Sequence, residues 1–266
     1  MGDIRGARRS RIGDDGKGGR KMDRWKQVQV CLGVFSVLCF LFAGVSGWRF
    51  FHRYSKGAEI YSQVRELAPA AEGGSSGDTP AMDFSGLLNM NPECVGWIRI
   101  PGTGIDYPVA QGEDNEGYLH TAFTGEYSDL GSIFMDYRNG GGFSDANTVL
   151  YGHDMWVGGE MFSQLTEYQD PEFLNAHPEV YIYTLDGQEL KYKVFAVRVV
   201  DEADPSAFTR AFGSESEFLG YLDGIVEGQF YDTMERPGAE DKILTLSTCT
   251  NVRDNERLLV HAVLEQ

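Results

Sequence analysis

Apolar and polar residues alternate through most of the C-terminal two thirds of this chain. VGWIRI (95–100), SIFMDY (132–137), NTVLYG (147–152), EVYIYTL (179–185), ELKYKVFAVRVV (189–200), ILTLSTC (243–249) and RLLVHAVL (257–264) are short runs rich in β-branched and aromatic residues. Gly, Pro, Asp or Asn separate them, as expected of strands joined by turns. Asp-Gly within LDGQ (185–188) predicts a hairpin between two of these strands. Two stretches, 160–176 and 214–229, read as helices, and Ser214 with Glu217 has the spacing of a capping box. So many short strands with so few helices predict a mainly β fold, closed or sandwich-like, rather than a βαβ-wound sheet.

The N-terminal third is patterned differently. Val28 to Trp48 contains no charged residue over 21 positions. As a helix rising about 1.5 Å per residue, it reaches roughly 31 Å, close to the hydrocarbon thickness of a bilayer. A cleaved signal peptide is the alternative, but its apolar core is usually about 7–15 residues and an Ala-x-Ala site normally follows. Residues 1–27 carry nine Lys or Arg against four Asp, a balance of +5, which leaves −22 of the net −17 on the rest. That asymmetry predicts a cytoplasmic basic tail (1–27), a transmembrane anchor (28–48) and an extracellular remainder. Arg49 to Leu67 has helical character, and APAAEGGSSGDTPA (68–81) has linker composition. The expected layout is therefore a stalk and linker over 49–81 and a catalytic-sized domain over 82–266. An acidic body of this kind lacks the clustered Lys and Arg that nucleic acid needs.

Cysteine is scarce: Cys31 and Cys39 fall in the apolar run, leaving Cys94 and Cys249 outside it. Strand parity puts Leu244, Leu246 and Thr248 on one face and Ile243, Thr245, Ser247 and Cys249 on the other. Cys249 thus shares the more polar face, where a nucleophile fits better than an inert core thiol. The seven residues 250–256 are few enough to make the next strand an antiparallel neighbour, bringing Arg257 over the cysteine end. Its guanidinium suits an oxyanion or a peptide carbonyl, although a surface ion pair is the commoner fate of an arginine. Arg253 competes for the same role. Of the five histidines, His153 follows the strand NTVLYG at the entry to a loop, where functional side chains concentrate. His261 lies mid-strand and reads as a satisfied sheet histidine, and nothing local favours His120. No phosphate-loop, dinucleotide-binding, HExxH or CxxC motif is present, so the sequence predicts no cofactor and no metal.

TLSTC (245–249), NTVLYGHDM (147–155) and an arginine eight residues past the cysteine together resemble the sortases, cysteine transpeptidases of Gram-positive cell surfaces. NPECVGWIRIPGTGIDYPVAQ (91–111) and GEYSDLGSIFMDYRN (125–139) are similar to earlier segments of that domain. The helical insertion before the cysteine strand looks most like class B. The resemblance implies a closed β-barrel of about eight strands with helical insertions, behind one N-terminal transmembrane helix. It also implies that Cys249 attacks a threonine carbonyl in a C-terminal sorting signal, giving a thioacyl enzyme. His153 then serves as acid and base, Arg257 steadies substrate or oxyanion, and Ser247 and Thr248 line the pocket. The implied partners are surface proteins or pilins bearing the signal, and an amine acceptor from peptidoglycan or a pilin lysine. Two other readings stay open on the residues alone. One is a cysteine peptidase that releases product by hydrolysis. The other is a non-catalytic adhesion module stapled by a Cys94–Cys249 disulfide.

Overall fold

The structure is a computed structural model, and it describes residues 23–67, 83–155, 158–250 and 255–265. Its centre is a closed barrel of eight strands in the order β1-β2-β3-β4-β7-β8-β6-β5. The strands are β1 (Cys94–Arg99), β2 (Asp106–Ala110), β3 (Ile133–Met135), β4 (Asn147–Tyr151), β5 (Glu179–Thr184), β6 (Glu189–Asp201), β7 (Ile243–Cys249) and β8 (Glu256–Leu264). β2 with β3 and β4 with β7 run parallel, and all other pairs are antiparallel. Closure through β1–β5 leaves no edge strand, which removes the usual route to edge-to-edge aggregation.

The predicted strands match the observed ones within about a residue or two, except that β2 was not foreseen. Its sequence, DYPVA, carries Pro108, which has no N–H to give a ladder and reads as a breaker. Gly187, with φ of 83°, turns the β5–β6 hairpin at the expected Asp-Gly. The stretch 160–176 is not one helix. Asp170 caps a new helix, α3 (Pro171–Ala176), by accepting from the Glu172 N–H, while Ser163–Gln169 stays 3-10. Pro171 cannot continue the preceding turn but fits the first position of the next.

Inward-facing residues of alternate positions fill the barrel, with Ile98, Tyr107, Met135, Leu244, Leu246, Leu258 and Val260 all fully buried. A second core lies outside the barrel wall, where α4 (Glu215–Glu227) lays Phe218, Leu222 and Ile225 on Phe195, Ala196 and Ile243. Positions i, i+4 and i+7 form the apolar stripe of an amphipathic helix. Ser214 caps α4 by accepting from the Glu217 N–H, and Glu217 reaches back to the N–H of Gly213.

The helix α1 (Arg24–Glu66) contains a candidate membrane span with mean hydropathy 2.4 over its most apolar window. By contact the chain divides after Arg49, so Phe50 to Glu66 belongs to the barrel unit. That places the start of the compact unit ahead of the boundary near Met82 suggested by composition. The reason is specific packing. Gly57, Tyr61 and Val64 are buried, and the Tyr61 hydroxyl donates to Gly131 O at 2.6 Å and accepts from the Phe123 N–H at 3.2 Å. A short helix, α2 (Ser85–Met90), precedes β1 and buries Leu87. The linker over 68–81 lies outside the described residues.

Candidate active site

The site forms where β4, β7, β8 and β6 end together on one rim of the barrel. Residue pairing fixes who meets whom. Cys249 is opposite Arg257 in the β7–β8 ladder, and Arg257 is opposite Val200 in the β8–β6 ladder. Directly paired residues of an antiparallel sheet share a face, so thiol and guanidinium project from the same side. β4 runs parallel to β7 with Tyr151 beside Ser247, and the Gly152 N–H donates to Ser247 O at 3.1 Å. His153 is the next residue, delivered to the rim beside the cysteine end by this parallel pairing.

Gly152 is required by space rather than by backbone angle. A Cβ there would stand 2.4 Å from Ile133 Cδ1 and 2.8 Å from the Phe162 ring. Below it, Tyr151 donates to the Asp136 carboxylate at 2.9 Å, which also accepts from Arg138 (2.8 and 2.7 Å) and Asn115 (3.0 Å). Burial works to raise Asp136, but these donors outweigh it and hold the carboxyl at about 2. The exit of β4 is thereby tied to the end of β3.

His153 Nε2 lies 2.7 Å from Leu119 O. A carbonyl only accepts, so Nε2 carries a proton and Nδ1 is left as the ring nitrogen that can exchange one with the site. The His120 ring stacks alongside, with centroids 6.1 Å apart. Burial pushes the His153 imidazole below its ordinary value, and the nearby His120 and Arg257 add to that against the Leu119 bond. Burial pushes the half-buried Cys249 thiol up, opposed by Arg257 and assisted by Glu202 and Asp154. Both directions favour the uncharged forms, the thiol and the neutral imidazole. The Arg257 guanidinium makes an ion pair with Glu202 at 2.7 Å and donates to Glu256 O at 3.2 Å.

Ser247 shares the outward parity of Cys249, and its buried hydroxyl makes no hydrogen bond among the described residues. Thr248 does not share it. With Leu244 and Leu246 it turns toward the barrel interior at 2 % exposure, so its side chain does not line the rim that bears the thiol. Arg253, the alternative to Arg257, lies outside the described residues. His261 is fully buried, takes the Arg198 Nε–H at 3.1 Å and meets Thr245 Oγ1 at 2.9 Å, as a satisfied sheet histidine should. No Cys94–Cys249 disulfide is present: both thiols are free, and β2, β3 and β4 separate their strands around the barrel. Leu119, His120 and Glu202 complete the surroundings without having stood out in the sequence. The first acts through a backbone carbonyl, which no side chain advertises. The other two arrive only through a loop crossing and the β6–β8 pairing.

The family model of the sortase domain matches residues 98–265. Sortase B of Listeria monocytogenes is 37 % identical over 171 residues, covering 64 % of this chain and 68 % of the relative. Sortase B of Staphylococcus aureus is 33 % identical over 168 residues, covering 62 % and 67 %. Among solved structures, sortase B of Bacillus anthracis superposes with a TM-score of 0.70 at 34 % identity, covering 81 % of this chain and 99 % of that one. Sortase B of Clostridium perfringens gives a TM-score of 0.65 at 33 % identity, covering 69 % and 100 %. The chain belongs to the sortase family of cysteine transpeptidases, in its class B.

Proposed function

We propose that the protein is a membrane-anchored transpeptidase that cuts a C-terminal sorting signal after threonine and passes the acyl group to an amine. The observation that carries this reading is the row of Cys249 and Arg257 on one face, with His153 brought beside the cysteine end by the parallel β4–β7 pair. Cys249 Sγ attacks the threonine carbonyl carbon while its proton passes to His153. The guanidinium of Arg257 faces the oxygen on which negative charge develops. Collapse breaks the C–N bond, and the imidazolium gives its proton to the leaving amine, leaving a thioester. An incoming amine then attacks that thioester and loses its proton to His153, and the thiol is regenerated. Ser247, whose buried hydroxyl has no partner among the described residues, receives a polar group of the peptide in this reading.

The apolar part of α1 is the proposed anchor, with the basic N-terminus cytoplasmic and the barrel outside. The proposed donors are surface proteins or pilins with an Asn-Pro-x-Thr or Ser-Pro-x-Thr type of signal, and the acceptors a peptidoglycan cross-bridge amine or a pilin lysine. The test is ligation of a labelled signal peptide to an amine by the full chain in detergent micelles. Cys249→Ala is expected to give no ligated product, and a variant that still ligates overturns the assignment. Product identity with and without added amine separates transfer from hydrolysis.

A further inference from the structure

The β7–β8–β6 row that sets Arg257 beside Cys249 continues one step further, to Glu202. Val200 sits opposite Arg257, and Glu202 follows in the turn just past the end of β6 at Asp201, from where its carboxylate reaches back to Arg257. The end of this strand pair is fastened. The Glu202 N–H donates to Asn255 O at 2.8 Å, and the Asn255 amide donates to Asp201 Oδ2 at 3.0 Å. The Glu202 carboxylate then meets Arg257 Nη2 at 2.7 Å while Nη1 of the same guanidinium donates to Glu256 O at 3.2 Å. A planar guanidinium held by two of its nitrogens has its plane fixed. The carboxylate is 53 % exposed, and an ion pair that open adds little to the stability of a fold. Its effect is local instead, on where a permanent positive charge stands relative to the thiol.

We propose that Glu202 is a positioning residue for the transfer reaction, orienting Arg257 toward the oxygen that becomes charged when Cys249 attacks. The proposal rests on the site reading given under Proposed function. Glu202 does not touch substrate; it acts through Arg257. Among the described residues, the charged and titratable groups facing Cys249 are Arg257, Glu202 and Asp154, with His153 influenced in turn by Arg257 and His120. Removing Glu202 therefore leaves the nucleophile and the imidazole in place while releasing one of the two holds on the guanidinium, the bond to Glu256 O remaining.

The experiment is a double-mutant cycle on the full chain in detergent micelles, with labelled signal peptide and amine. It compares Glu202→Gln, Glu202→Asp, Arg257→Gln and the Gln/Gln double variant, with thermal unfolding measured for each. The expected result is that Glu202→Gln lowers kcat about tenfold with KM changed less than about twofold, because the lost interaction is made in the transition state. Glu202→Asp recovers part of that rate, melting temperatures stay together, and adding Glu202→Gln to Arg257→Gln changes kcat by less than about twofold. A Glu202→Gln enzyme as fast as or faster than the parent overturns the proposal, as do losses that multiply in the double variant. If Arg257→Gln is as active as the parent, or Cys249→Ala retains ligation, the site reading fails and this proposal falls with it. Impaired Arg257→Gln beside unimpaired Glu202→Gln sinks the role of Glu202 alone.

Discussion

At the scale of single residues, the chemistry is set by how burial and charge divide between two groups. Burial lowers His153 and raises Cys249, so each limb of the pH profile is displaced outward. The reacting proton arrangement is available only between the two values, whether written as thiol and imidazole or as thiolate and imidazolium. We predict a bell-shaped kcat/KM whose acid limb falls below about 6.5 and whose alkaline limb lies above about 8.5, the ordinary values of the free groups. Ligation rates measured from pH 5 to 10 check this, and limbs at the ordinary values contradict it. Gly152 gives a second prediction. Alanine there drives a Cβ into Ile133 and Phe162 and shifts the residue that follows, His153. Misplacement of a catalytic group by less than an ångström is costly, so Gly152→Ala should lose at least about tenfold in kcat/KM. Wild-type kcat/KM in Gly152→Ala, measured by the same ligation assay, removes the spacing argument. The sequence exposed Cys249 and Arg257 through strand parity and a short loop. It could not pair His153 with them, because parallel β4 and β7 are joined by almost a hundred residues of intervening chain. Only the likeness of YGHDM and TLSTC to a known family bridged that gap. Thr248 shows the opposite failure: a family-based pocket residue that the strand's own alternation already turned inward.

At the scale of elements, strands were legible wherever alternation was clean, and obscure where one residue broke it. β2 hid behind Pro108, and 160–176 looked like one helix because its apolar spacing ignored Asp170–Pro171. The end of β3 and the end of β4 are joined by Asp136, whose carboxyl stands below its ordinary value because Arg138, Asn115 and Tyr151 outweigh its burial. A folded-state value lower than the unfolded one contributes stability above the unfolded value and loses it as pH falls through the folded one. The drop from 3.8 to about 2 corresponds to roughly 2 kcal/mol, present at neutral pH and lost between about pH 4 and 2. Asp136→Asn is therefore predicted to lower stability by about that amount at pH 7 and by only about a third of it at pH 2.5. Urea unfolding at the two pH values reads the difference, and an equal effect at both refutes the assignment. The consequence for function runs through Tyr151, which carries the strand end that delivers His153.

At the scale of the whole molecule, the question is what the apolar helix does beyond its candidate membrane span. Its continuation past Arg49 is part of the barrel unit, not a spacer. Tyr61 and Val64 are 1 % and 0 % exposed, and the Tyr61 hydroxyl satisfies backbone groups of Gly131 and Phe123 that are otherwise cut off from water. Arg65 pairs with Glu160 at 3.1 Å, and the same carboxylate is bonded by Tyr107. Glu160 belongs to the loop leaving His153, whose carbonyl takes the Phe162 N–H at 2.9 Å. The stretch Phe50 to Glu66 thus braces the segment that carries His153. Composition alone could not reveal this, since the linker at 68–81 looks like a domain boundary and the helical stretch before it carries as many charges as a solvated stalk. Two soluble fragments separate the possibilities, one spanning 50–266 and one spanning 83–266. Burial of Tyr61 and Val64 is worth about 1.5–3 kcal/mol each, and the orphaned backbone groups add about 1–3 kcal/mol. Each kcal/mol moves the midpoint of a domain this size by about 2–4 °C, so the shorter fragment should melt at least about 10 °C lower. It should also ligate more slowly at temperatures where it is still folded, because Glu160 has lost Arg65. Equal melting temperatures and equal rates for the two fragments make residues 50–66 a tether with no part in the enzyme.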